Sequence, residues 1–524
     1  MISKEGKDFD VILITGEYYD DHPLSPAGVI ARVLEDKGCS VGIIEKPLKN
    51  EDFLKLGHPK MFFAVTSGSI DSMVNNYTPL KKKRGEDKYS KTLAMPDRAV
   101  IVYCNKIKEN FKNAKIPIVI GGTEAALRRF LHYDYWSNSL RKSILLDSRA
   151  DIIVYGSGEK QIAEIVDRVR HNKELKGIAG TCVLSKEVDS SFEILPSFKE
   201  ASEDKIKFCI MQRMFSNNKN LAQEYDNNYV LQYKAPLYTS KDLDWIYSLP
   251  YTRKLNKDSL LKMARFSVVT HRGCLGRCSF CSITLTQGDK IVSRSEKNIL
   301  DEIKKITKLP GFNGYIEDMG GPSANMYGMD FENGKIDVSH KRVIHLMREA
   351  RKINGIKKIF VRSGIRYDLA LNSKEYIDEL SKYHVSGRLK VAPEHMDEEV
   401  LALMNKPGRK FKEFVEYYKS INKDKKQSLA YYFMIGHPGD RMEKIEALKK
   451  GMESLDADSF QLFTPTPMSV STCMYYTGLN PYTLKPVKVT YDYNTKKKMK
   501  RVILNKDSKK EDSEKTEEYI DDFE

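Results

Sequence analysis

Three cysteines, Cys274, Cys278 and Cys281, lie within eight residues at C-x3-C-x2-C spacing. An apolar run, Phe266-Ser-Val-Val269, precedes them and glycines sit among them, so they belong to a loop leaving a strand. Three thiolates so close can converge on one soft metal centre, and thiolate ligation selects an iron–sulfur cluster or zinc. A cubane cluster has four irons, so three cysteines leave one iron open for a substrate or cofactor. A structural zinc site is closed, its four ligands usually arriving as two separated pairs. His271 could complete such a set (H-x2-C-x3-C-x2-C), but all four ligands would then crowd into one eleven-residue loop. Unligated loop thiols are the third reading. The count of three favours the cluster.

With Phe280 just before the last cysteine, the motif resembles that of the radical S-adenosylmethionine (SAM) superfamily. The flanking sequence is similar to its YgiQ-type branch. The similar phrases include Val65-Thr-Ser-Gly-Ser-Ile-Asp-Ser-Met-Val-Asn-Asn-Tyr77, Leu127-Arg-Arg-Phe-Leu-His-Tyr-Asp-Tyr-Trp136 and Gly320-Gly-Pro-Ser-Ala-Asn-Met-Tyr327. Lys390-Val-Ala-Pro-Glu-His395 and Met474-Tyr-Tyr-Thr-Gly478 extend the match, which runs from about Asp8 to about Pro481. Two features depart from the family. The segment after the Gly320 phrase, Gly328–Ser339, contains no cysteine where relatives carry a cysteine-rich insert, and the carboxyl-terminal extension is short.

At 524 residues the chain exceeds a single core, and 41% hydrophobic content is enough for several. No apolar run approaches the roughly 18 residues of a membrane span. The amino terminus has no apolar signal core. A cytoplasmic protein is therefore expected. The other five cysteines (Cys39, Cys104, Cys182, Cys209 and Cys473) are scattered, as small core residues of a reducing compartment would be, and are expected to be core residues rather than disulfides. The net charge of +15 suits acidic partners, nucleic acid included.

The elements positioning the cysteines alternate strand and helix. Residues 8–184 read as an α/β domain with a doubly wound sheet. Its strands are Val11-Ile-Leu-Ile-Thr, Val41-Gly-Ile-Ile, Met61-Phe-Phe-Ala-Val, Ile116-Pro-Ile-Val-Ile and Asp151-Ile-Ile-Val-Tyr. A helix capped by Ser25, with Pro26 in its first turn, ends at Gly38. Residues 185–262, polar and Asn-rich, read as a bridging region, with aromatic Leu243–Tyr251 packing between domains. Residues 263–481 carry six strand–helix repeats. The helix between the first two repeats has its cap at Ser295. As the resemblance implies, these curve into a partial (β/α)6 barrel with the cysteine loop at the carboxyl end of its first strand. Residues 482–524 read as a charged, disordered tail, and Lys81–Lys91 as a solvated loop.

The resemblance assigns roles at this mouth. Cys274, Cys278 and Cys281 would hold three irons of a 4Fe-4S cluster, and the open iron would take the amino and carboxylate groups of SAM. Reductive cleavage of SAM to a 5′-deoxyadenosyl radical is the implied reaction. Phe280 would pack near adenine, Gly320 and Gly321 would meet the methionine amino group, Glu394 the ribose hydroxyls, and Gly436 the adenine side. Arg362, Ser363 and Arg366 are candidates for the SAM carboxylate. No catalytic residue beyond these cofactor contacts is identified. The implied partners are an external electron donor of flavodoxin or ferredoxin type and a substrate not specified, for which RNA agrees with the charge. No membrane partner is expected. The alternative is a non-catalytic iron–sulfur or zinc-binding nucleic-acid protein.

The amino-terminal layout also resembles the cobalamin-binding domain that often precedes such barrels. That family's axial histidine sits in D-x-H-x-x-G, whereas Asp20-Asp-His-Pro-Leu-Ser25 ends in Ser25. The residues after Gly121-Gly122 are bulky, among them Arg128, Arg129, Phe130, Tyr133, Tyr135 and Trp136. They are expected either to fill a corrin cleft or to clasp an acidic substrate, so no cobalamin is expected.

Overall fold

The structure is a computed structural model and describes residues 1–84, 94–423, 427–455, 457 and 459–504. Every residue of the Val11–Thr15 strand is buried, because helices cover both faces of its sheet. Ile12 and Ile14 point into one core with Phe63, Val65, Ile118, Ile120 and the Ala99–Asn110 helix. Val11 and Leu13 point into the other, against the helices Pro26–Asp36 and Glu159–Arg170. Ser25 caps the first of these helices, and Gly38 beyond its end has φ +74°. The doubly wound sheet is therefore present, with five expected strands in the order Val41–Glu45, Val11–Thr15, Phe62–Thr66, Ile118–Gly121, Ile152–Val154, all parallel.

The sheet is wider than expected. It has ten strands, beginning with Ile2–Ser3 at one edge. Beyond Ile152–Val154 come Thr181–Ser185, Asn228–Gln232, Leu221–Tyr225 and Glu193–Ile194, joined by three antiparallel pairings and one parallel. Three strands thus come from the stretch expected to bridge. Their polarity hid them, because the buried amides serve the sheet's own packing. Gln232 Oε1 accepts from Arg129 Nε at 2.7 Å, and Gln223 Oε1 accepts from the Leu131 N–H at 2.9 Å. The aromatic stretch does lie between modules. Tyr247, on the Ser240–Ser248 helix, stacks under the guanidinium groups of Arg272 and Arg294.

The six barrel strands are Val268–Val269, an interrupted second strand (Tyr315–Ile316 and Met319–Gly320), Lys358–Ile359, Arg388–Glu394, Ser428–Ile435 and Phe460–Leu462. The halves of the second strand pair with opposite neighbours, and a parallel Ile365–Val391 bridge links the third to the fourth. The fourth, fifth and sixth form one parallel sheet. Ile299, Ile303 and Ile306 of the Glu296–Ile306 helix, capped by Ser295, close the core beside the first strand.

The tail is corrected in part. Tyr493–Ile503 is a helix capped by Asp492, and its basic run is docked. Met499 packs into the barrel core, and the Lys496 ammonium donates to Tyr475 Oη at 2.7 Å. The apolar positions among the lysines, Met499, Val502 and Ile503, supply the helical face that composition obscured. The acidic end lies outside the described residues, as does the Lys81–Lys91 loop after Arg84; Lys81 itself lies over the Tyr135 ring. No helix among the described residues is long and apolar enough to cross a membrane.

Candidate functional site

The cysteine loop is pinched at its base and gripped at its tip. His271–Arg272 pairs antiparallel with Val292–Ser293, and Gly273 lies so close to the Lys290 carbonyl that a Cβ there would collide with it. At the tip, Ser279 N–H donates to the Met404 carbonyl (2.9 Å), Ser471 N–H to the Ser279 carbonyl (2.9 Å) and Asn405 Nδ2 to the Arg277 carbonyl (2.8 Å). Two remote segments, on either side of the barrel's last two strands, therefore fix the loop.

Cys274, Cys278 and Cys281 are the cysteines with partial exposure; the other five are buried. Two of the loop sulfurs converge on Gly276. A Cβ there would lie 3.3 Å from Cys274 Sγ and 3.6 Å from Cys278 Sγ, and would collide with Arg366 Nη1. That guanidinium is held by Asp368 through two 2.7 Å bonds. Burial pushes Cys281 up to about 12 and raises Cys278, the latter opposed by Lys406 and Arg366. Bare, these thiols keep their protons at neutral pH, so ligation releases protons. Among the described residues no three His, Cys, Asp or Glu side chains surround a single-ion position. A cubane does not require one, since each of its cysteines binds a different iron.

His271 sits in the pinched base of the loop, against the paired glycines. Its ring packs where a Cβ of Gly321 would stand 2.7 Å away, and Nδ1 pairs with Thr270 Oγ1 at 2.9 Å. Burial lowers its pKa to about 4, so it is neutral. Gly320 is equally confined, 2.7 Å from Ser363 Oγ by the same measure. Packing therefore accounts for both glycines without a ligand. Of the three carboxylate candidates, Arg366 reaches the cysteine loop, whereas Ser363 bonds Asp318 and exposed Arg362 stacks over Phe360.

Glu394 has the most unusual backbone at the mouth. It ends the fourth strand after a register shift, at φ +67°, a left-handed conformation that is costly for glutamate. Its carboxylate is buried. Oε1 lies 3.4 Å from Lys406 Nζ, while Oε2 has no partner. Burial raises its pKa, partly offset by Lys406. Next door, Gly436 N–H donates to Asp440 Oδ2 (2.8 Å), and His437, neutral at a pKa of about 3 through burial, pairs with Ser471 Oγ at 2.6 Å. Phe280 meets the His437 ring edge-on, with centroids 6.3 Å apart. Sequence reasoning missed Lys406, Asp440 and Ser471. Only Asp440 carried a signal, following the Gly436-His-Pro-Gly439 turn.

The amino-terminal sheet presents its carboxyl edge to this loop. Asn217 Nδ2 donates to the Leu285 carbonyl at 2.9 Å, and Arg272 pairs with buried Glu159 at 2.8 Å. His22 is fully engaged. Leu24 N–H donates to Nδ1, so Nε2 carries the proton and donates to the Arg265 carbonyl at 2.9 Å. Arg128 is buried against Asp71, and Arg129 is buried among Gln232, Asn217 and the Ala126 carbonyl over the Tyr155 and Phe215 rings. They fill the fold, and the expectation that they clasp a substrate is corrected.

Comparison with known proteins finds matches along most of the chain. Residues 1–267 match the model described as radical SAM N-terminal, 268–450 the radical SAM superfamily and 458–510 a domain of unknown function, DUF3362. A UPF0313 protein of Methanosarcina acetivorans is 41% identical, covering 95% of this chain and 76% of that protein. One from Clostridium botulinum is 42% identical over 94% and 84%. Among solved structures, the radical SAM methyltransferase TsrM of Kitasatospora setae, with cobalamin and a [4Fe-4S] cluster bound, superposes at TM-score 0.54. It is 16% identical, over 89% of this chain and 78% of that one. With its ten-stranded sheet, open six-stranded barrel and three-cysteine loop, the chain belongs to the UPF0313 family of the radical SAM superfamily.

Proposed function

We propose that the chain is a radical SAM enzyme. The observation that carries this is the convergence of partly exposed Cys274 and Cys278 on the Gly276 cradle, with Cys281 on the same short loop and an unpartnered carboxylate oxygen of Glu394 at the neighbouring strand end. Cys274, Cys278 and Cys281 would hold three irons of a 4Fe-4S cluster. When bound, the cluster would supply the electron that cleaves SAM reductively, releasing a 5′-deoxyadenosyl radical.

The residues' own work is positioning and exclusion. Lys406 fixes one oxygen of Glu394 and leaves the other to accept a hydrogen bond from a ribose hydroxyl. Asp440 fixes the Gly436 turn on the adenine side. Phe280, backed by His437, walls the loop against water, and the Gly320–Gly321 turn borders the methionine end. Arg366, neutralised by Asp368, sits over the loop as a clamp. An external flavodoxin- or ferredoxin-type protein would deliver the electron in the cytoplasm. The charge of +15 suits RNA among substrate classes. Anaerobically reconstituted, dithionite-reduced protein given SAM is expected to release 5′-deoxyadenosine and methionine.

We infer that the amino-terminal sheet does not take up cobalamin, although TsrM binds it. His22 is occupied, and Gly122 lies so near Thr66 that a Cβ would collide with its hydroxyl, as in a plain tight turn. A Cβ on Gly156 would stand 3.9 Å from the Thr286 carbonyl of the Ile283–Gln287 helix that follows the cysteine loop, which leaves little depth for a corrin. Hydroxocobalamin titrated at micromolar concentration should leave the absorbance spectrum as the sum of its parts; stoichiometric binding would contradict this.

A further inference from the structure

Two cysteines remote from the loop meet across the boundary between modules. Cys209 is on the Lys205–Met214 helix of the amino-terminal module, and Cys473 is on the Val470–Thr477 helix that follows the barrel. Separated by 264 residues in sequence, their sulfurs lie 3.8 Å apart, with Cys473 Sγ donating to Cys209 Sγ. Thr477 Oγ1 stands 3.6 Å from Cys209 Sγ. Both cysteines are 1% exposed or less. A disulfide bond is about 2.05 Å long, so the two sulfurs must close by about 1.8 Å to bond.

We propose that Cys209 and Cys473 are a modification site, forming a reversible disulfide on exposure to peroxide-class oxidants. The Cys473 thiol holds Cys209 down at about 7, against the effect of burial, while the same contact and burial raise Cys473. Cys209, the accepting sulfur of the pair, is the attacking thiol. Its sulfur takes one oxygen from hydrogen peroxide, giving a sulfenic acid and releasing the other oxygen as water. The Cys473 sulfur then displaces that hydroxyl as a second water and forms the S–S bond. Two thiols and one peroxide give one disulfide and two waters, the sulfurs together losing two electrons.

The crosslink has a defined reach. Ser471, two residues before Cys473, donates its N–H to the Ser279 carbonyl and pairs with His437. A Cys209–Cys473 bond would therefore tie the amino-terminal module to the helix that grips the cysteine loop, holding the loop's outer wall in place during oxidative exposure. This rests on the thiol geometry and does not depend on the proposed reaction.

Full-length protein, treated with equimolar hydrogen peroxide, then denatured and alkylated with N-ethylmaleimide, tests it by peptide mass. The expected product is a linked peptide pair containing Cys209 and Cys473, two hydrogens lighter than the separate peptides and restored by dithiothreitol. The midpoint of thermal unfolding should rise by several degrees with the link, because it closes a long loop in the unfolded chain. The rise should be absent in Cys209→Ser and in Cys473→Ser. Full alkylation of both residues after oxidation, or links spread among the buried cysteines, would overturn the proposal. So would the same thermal shift in the serine variants.

Discussion

Cys278→Ala protein, reconstituted anaerobically with iron and sulfide, is expected to hold almost none of the about four irons that the unaltered chain should bind. Cys278 is the middle cysteine of the loop, and its sulfur shares the Gly276 cradle with Cys274. Removing it leaves two cysteines, too few to anchor a cubane whose remaining iron must stay open. The fold should survive, because the loop is gripped through Arg277, Ser279 and Ser471 rather than through the cysteines. Cys104→Ala is the matched control. Cys104 is buried in the amino-terminal core, and that variant should keep its iron while losing some stability. Iron and sulfide measured per chain check both. One equivalent of zinc and no iron in anaerobically purified protein would replace the cluster with a structural site.

Glu394→Ala is expected to leave the iron content intact and weaken SAM binding by about tenfold to a hundredfold. A hydrogen bond to a charged group contributes about 1.5–3 kcal/mol, and about 1.4 kcal/mol corresponds to a factor of ten. The readout is the electron paramagnetic resonance spectrum of the reduced cluster, which SAM should alter in the unaltered protein at concentrations that no longer suffice for the variant. The substitution also strands Lys406, whose ammonium is buried beside Glu394, so some loss of stability is expected. Exchanging both residues, Glu394→Gln with Lys406→Met, removes the stranded charge. It should recover the stability without recovering SAM affinity. Iron lost in step with SAM affinity would make Glu394 a structural residue of the loop's wall.

What could be read directly from the sequence was whatever repeats at short range. Val11–Thr15 announced a strand buried on both faces because all five of its residues suit a dry interior, and Ser25-Pro26 announced a helix start because capping is local. The cysteine loop was legible for the same reason, its three cysteines lying on one short segment. Long-range partners were not. Lys406 lies 12 residues beyond Glu394 and meets it only because the fourth strand shifts register and Glu394 turns left-handed. Gln223 and Gln232 look like linker residues until the sheet that buries them is assembled. Met499 and Lys496 look like part of a charged tail until the barrel offers a surface to cover. Arg128 and Arg129 misled in the opposite direction: paired cations suggest a ligand, whereas burial with Asp71 and Gln232 makes them internal supports.

Whether three cysteines and the strand ends around them cleave SAM is tested most directly by one product. That product is the nucleoside formed when reduced, reconstituted protein is mixed with SAM without any other substrate. 5′-Deoxyadenosine and methionine are expected in equal amounts, accumulating slowly with dithionite and absent from Cys278→Ala. A fully assembled, reducible cluster that leaves SAM intact and is spectroscopically indifferent to its presence would contradict the assignment.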